Sequence, residues 1–86
     1  MGFYNISFKK SAEKELRTLD KKLISRVLYS IENLSNNPVP PGSRKLVGSE
    51  TTHRIRIGDY RVVYLIDHDA TTIEIQKIAH RKEVYK

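Results

Sequence analysis

Residues 52–67, THRIRIGDYRVVYLID, read as two strands joined by a two-residue Gly58-Asp59 turn. Glycine at the first turn position supplies the positive φ that such a hairpin needs. The turn sets the register: Ile57 faces Tyr60, Ile55 faces Val62 and His53 faces Tyr64. These side chains share one face and are the candidate core. The other face carries Arg54, Arg56, Arg61, Val63 and Leu65, with Arg56 directly across from Arg61. Like charges set opposite each other weaken a sheet, by roughly 0.5 kcal/mol. That juxtaposition asks for a reason.

Working outward, TTIEIQKIAHR (71–81) is a further strand, expected to run beside YRVVYLID. RKLVG (44–48) is expected to hold a short one. FYNISF (3–8) alternates, with Tyr4, Ile6 and Phe8 on one side, and suggests a first strand. Between these, Ala12, Leu16 and Leu19 recur at helical spacing, and Asp20 is positioned to cap a second helix. That helix carries an apolar stripe through Leu23, Ile24, Val27, Leu28, Ile31 and Leu34, and Asn36-Asn37-Pro38 ends it. SNNPVPPGS (35–43), with three prolines and a glycine, is a loop. The expected fold is α+β, in a single domain spanning 1–86: an N-terminal strand, then an antiparallel helical hairpin packed on one face of a mainly antiparallel C-terminal sheet.

Composition narrows the function. There is no cysteine, which removes disulfides and thiolate chemistry. No apolar run reaches membrane-spanning length and no signal-peptide layout opens the sequence, so a cytoplasmic protein with no membrane partner is expected. Sixteen Lys and Arg against ten Asp and Glu leave a net charge of +6, which favours an anionic partner. His53, His68 and His80 lack ligand spacing, and clustered arginines oppose a cation, so neither metal nor cofactor is expected.

Two clusters carry candidate chemistry. Arg54, Arg56 and Arg61 collect on the uncovered sheet face, and Arg44 and Lys45 extend the patch. A bridging phosphate would turn the repulsion between Arg56 and Arg61 into attraction, because each guanidinium is a rigid fork of donors. The alternatives are that they splay into water or pair with Asp59, Glu50 or Glu74. The second cluster, HRKEVYK (80–86), offers His80 as acid or base near neutral pH, Arg81 as a cation and Tyr85 as a stacking or proton-transferring group. The alternative there is an ordinary polar tail. Cations with a tyrosine and a histidine suit phosphodiester cleavage, and RNA in particular, whose 2′-hydroxyl is an internal nucleophile.

KLVG (45–48), HRIRIGDYRVVYLID (53–67) and IEIQKIAHRKEVY (73–85) resemble the RelE/ParE superfamily of type II toxins, GDYRVVY and HRKEVY being the most specific parts. The resemblance covers nearly the whole chain and favours the RelE-like branch. It implies a ribosome-dependent mRNA endonuclease that cleaves in the A site by 2′-hydroxyl attack, leaving a 2′,3′-cyclic phosphate. It assigns Arg61 and Arg81 to the charge on the transferring phosphate, Arg54 and Arg56 to holding substrate and ribosomal RNA, and Tyr85 to the attacking hydroxyl or the base. The implied partners are a RelB-like antitoxin, mRNA on the ribosome, and operator DNA only through the antitoxin complex. The alternatives are a ParE-like inhibitor of DNA gyrase without nuclease activity, and a non-catalytic basic RNA-binding domain.

Overall fold

The computed structural model describes residues 3–84, with side chains up to Lys82. In chain order the elements are β1 (Asn5–Phe8), α1 (Lys10–Arg17), α2 (Lys21–Leu34), β2 (Arg44–Lys45), β3 (Thr52–Ile57), β4 (Tyr60–Asp67), β5 (Thr72–His80) and α3 (Arg81–Val84). The strands form one sheet in the order β1-β5-β4-β3-β2, in which only the β1–β5 pairing is parallel. The fold is therefore α+β with a mainly antiparallel sheet, as expected.

The hairpin of β3 and β4 has the anticipated register, from Thr52 opposite Leu65 to Ile57 opposite Tyr60. Gly58 takes a φ of 60°, and an added Cβ would meet only the Arg26 guanidinium, 3.9 Å away. On the covered face, Ile55, Ile57, Val62, Tyr64, Ile66, Ile73, Ile75 and Ile78 join Ala12 of α1 and Val27, Ile31 and Leu34 of α2 in one core. Most of these sheet residues are β-branched, which suits a pleated surface buried on one side. The Asp20 carboxylate accepts from the Leu23 N–H at 2.9 Å, so the second helix starts where a capping residue permits. Ile6 and Phe8 of the edge strand β1, and Tyr4 just before it, pack against the core.

Plain alternation does not survive along β5. Val63 pairs with Lys77 but Tyr64 pairs with Ile75, so Gln76 is an extra residue in a bulge. Counting in twos from Ile73 and Ile75 would bury Lys77 and Ala79 and expose Ile78. The bulge resets the phase: Ile78 enters the core while Lys77 joins the arginine face.

The edge of β5 beyond β1 is closed by a side chain. Glu15 of α1 accepts the Ile78 N–H at 2.9 Å through one oxygen and holds Lys77 Nζ at 3.6 Å with the other. The proline-containing loop is tied down in the same way, by the Tyr64 hydroxyl donating to the Pro38 carbonyl at 2.7 Å. RKLVG contributes only the two paired residues of β2, and the polar segment after β5 turns into the short α3. Among the described residues no helix is long and apolar enough to cross a membrane.

Candidate nucleic-acid interface

The arginines converge because three strands place them at matching heights on the uncovered face. Arg56 pairs directly with Arg61, and Arg44 pairs with Arg54. In a two-residue hairpin the pair next to the closing one is non-hydrogen-bonded, and there side chains stand closest. Arg44, Arg54, Arg56 and Arg61, with Gly42, line a cavity of about 300 Å³. Gly42 has a φ of 90°, so the loop turns sharply where it meets these guanidiniums.

No carboxylate among the described residues neutralises the central pair. Arg56 Nε donates to the Gly58 carbonyl at 3.1 Å, and Arg61 Nη1 donates to the Tyr60 carbonyl at 3.3 Å. The acids that the sequence offered as partners are otherwise engaged: Glu50 holds Lys45 at 3.3 Å, and Glu74 accepts from Gln76 at 3.3 Å. Asp59 contributes its backbone, accepting the Arg81 N–H at 2.8 Å. That bond places the backbone of Arg81, whose side chain is exposed, at the Gly58-Asp59 turn, outside the residues that line the cavity. A cavity on which two opposed guanidinium forks, Arg56 and Arg61, have no carboxylate partner among the described residues is chemically a receptor for a phosphate or another oxyanion.

With the geometry in view, comparison with known proteins decides the family. Residues 6–85 match the family model of the ParE toxin of the type II toxin–antitoxin system parDE. The chain belongs to the RelE/ParE family of type II toxins. This toxin is 34% identical over 84 residues to the toxin RelE of Mycobacterium tuberculosis, covering 96% of this chain and 87% of that one. It is 30% identical over 87 residues to the toxin RelG of the same organism, covering 96% and 97%. Its fold is similar to that of the archaeal RelE in a RelE–RelB complex from Pyrococcus horikoshii, with a TM-score of 0.83, 32% identity and coverage of 92% and 96%.

The remaining candidates in the toxin separate. Lys45 pairs with His53 of the helix-covered side and is held by Glu50, so by register it leaves the arginine face and stands at the sheet edge. His80 pairs with Tyr60, and the two rings meet edge to face at 5.6 Å. Because Tyr60 belongs to the helix-covered side, the structure does not bring His80 to the arginines. The bulge at Gln76 is what puts it there. Tyr85 lies outside the described residues. Lys77 was missed: it joins the arginine face through the same bulge, and the signal was the break in alternation from Ile73 and Ile75 to Ile78. Among the described residues no group of three or more His, Asp or Glu is placed to hold a metal ion.

Proposed function

We propose that this toxin is a ribosome-dependent, metal-independent mRNA endonuclease. The observation that carries the reading is the Arg56–Arg61 pair, set in direct opposition on a cavity that Arg44 and Arg54 complete, with no carboxylate partner for the pair among the described residues. A domain of this size accepts such repulsion where a bound phosphate reverses its sign.

In the proposed reaction the RNA 2′-oxygen attacks the adjoining phosphorus as its proton departs. The bond to the 5′-oxygen breaks, that oxygen takes up a proton, and a 2′,3′-cyclic phosphate remains. Arg61 and Arg81 stabilise the charge that builds on the phosphoryl oxygens. Arg54 and Arg56, with Arg44, hold the backbone, and Lys45 adds charge at the rim. Arginine stays protonated and is a poor base, so proton transfer falls to Tyr85, not to His80 on the far side of the sheet. The partner is a RelB-like antitoxin, consistent with the Pyrococcus horikoshii relative, whose crystal structure is a RelE–RelB complex. Operator DNA is reached only through that antitoxin.

The test is a map of mRNA 5′ ends in a translation extract with purified protein. New ends inside ribosome-occupied codons, absent without ribosomes and absent with Arg61→Ala or Tyr85→Phe, are expected. Full activity in both variants would sink the catalytic assignment. A second reading, gyrase inhibition, draws on the ParE description of the matched family. Intact mRNA together with loss of gyrase supercoiling would establish it instead.

A further inference from the structure

Beside the arginine cavity, the same sheet face carries a larger groove of about 860 Å³, whose lining includes Arg44, Arg54, Lys77, Leu46, Val47 and Val63. Its origin is the strand register. Arg44 pairs with Arg54, Arg54 with Val63 and Val63 with Lys77, so these four form one row across four strands. Arg56, Arg61 and Ala79 form the adjacent row, two residues further along each strand. Two strand residues span about 7 Å, the scale of a single nucleotide. Cavity and groove share Arg44 and Arg54, so a ligand in one continues into the other.

The two sites differ in chemistry. The cavity is walled by guanidiniums and a glycine, whereas the groove has an apolar floor. Val63 is buried at the centre of the uncovered face, Leu46 is half-buried, and Val47 stands fully exposed at the lip. A backbone turn closed by the Ser49 N–H on the Leu46 carbonyl at 3.2 Å, with Gly48 at a φ of 83°, presents that lip. A bare phosphate gains nothing from an apolar floor. A base has apolar faces and a polar edge, and it comes attached to a phosphate.

We propose that this groove is a nucleoside subsite. The base next to the phosphate in the arginine cavity lies on Val63, Leu46 and Val47, with its edge toward Lys77. The inference rests on the phosphate reading of the cavity and adds the unit joined to that phosphate. Lys77 is a positioning and specificity residue. Its ammonium has only donors, and Glu15 holds it at 3.6 Å, so the base edge facing it presents acceptors. A nucleoside fits better than an apolar side chain of a protein partner because cations flank the floor at both ends of the row and the groove opens into the cavity.

The experiment is titration calorimetry on the purified protein with three ligands: inorganic phosphate, ribose 5-phosphate and nucleoside monophosphates. Nucleoside monophosphates are expected to bind roughly tenfold more tightly than ribose 5-phosphate, the scale of burying one base face. That ratio should collapse toward one in Val63→Thr, which keeps the shape and adds a hydroxyl. Val47→Asn should lower it as well, at a fully exposed position where folding is not at stake. Equal affinities for ribose 5-phosphate and nucleoside monophosphates would overturn the subsite while leaving the phosphate cavity standing, and would leave the groove to a protein side chain. A ratio undiminished in both variants would also overturn it. If none of the three ligands binds, the phosphate reading fails, and the subsite fails with it.

Discussion

On the proposed function, Arg61 serves the site against the interest of the fold. It faces Arg56, and among the described residues no acid relieves the pair. Replacing it with glutamine removes a like-charge contact, so Arg61→Gln should raise unfolding stability slightly, by about 0.5 kcal/mol, while abolishing cleavage. Urea denaturation and 5′-end mapping on one preparation check both halves, and a loss of stability would mean that the pair is not repulsive in the folded protein. Tyr64 makes the opposite case, a polar group serving the fold alone. Burial pushes its phenol from 10.0 up to about 12, and the nearby Ser43 hydroxyl opposes this weakly. Burial is the larger of the two effects, and the Tyr64 hydroxyl spends its proton on the Pro38 carbonyl. The folded phenol keeps its proton to a higher pH than the unfolded one, so its contribution is complete below pH 10. It is lost as pH rises from 10 to about 12, a fall of roughly 2–3 kcal/mol. Urea midpoints at pH 9 and pH 11.5 should therefore differ more in the native protein than in Tyr64→Phe, which has no proton to lose there.

At the scale of elements, the hairpin of β3 and β4 was legible in the sequence because a two-residue turn leaves one register. The α2 start was legible because Asp20 precedes a clean apolar stripe. From these followed the arginine face, since a period of two leaves no other place for Arg54, Arg56 and Arg61. What was not legible came from contacts between distant segments. The parallel pairing of β1 with β5 is one, because an isolated alternating run carries no partner's name. The bulge at Gln76 is the other, and it removes His80 from the arginines and adds Lys77. The same region depends on Glu15, which satisfies the Ile78 N–H at an edge that β1 is too short to cover. Glu15→Ala should cost about 1–3 kcal/mol, the penalty for an unsatisfied buried donor. It should also speed hydrogen exchange at the Ile78 amide more than at Val62, which the neighbouring strands protect. Unchanged exchange at Ile78 would mean that this carboxylate does not guard the edge.

Across the whole molecule, positive charge is not confined to the arginine face. Residues 9–26 hold seven cations (Lys9, Lys10, Lys14, Arg17, Lys21, Lys22, Arg26) against Glu13, Glu15 and Asp20, a balance of +4 out of the total +6. The three acids are already occupied, Glu13 by Arg17, Glu15 by Lys77 and the Ile78 amide, and Asp20 by the helix cap. Arg26 reaches the Gly58 turn, so the helical charge approaches the end of the hairpin that carries the Arg56–Arg61 pair and meets the Arg81 backbone. On the proposed function, the helices add sequence-independent attraction to ribosomal RNA, and the arginine cavity supplies chemistry. The two contributions should separate. Arg61→Ala should still sediment with ribosomes while cutting nothing. The charge reversal Lys21→Glu with Lys22→Glu should weaken sedimentation severalfold at low salt and flatten its dependence on salt, because fewer counterions are released on binding. If the double variant sediments as the native protein does across the salt range, the helical charge faces solvent in the bound state, and attraction to the ribosome rests on the sheet face alone.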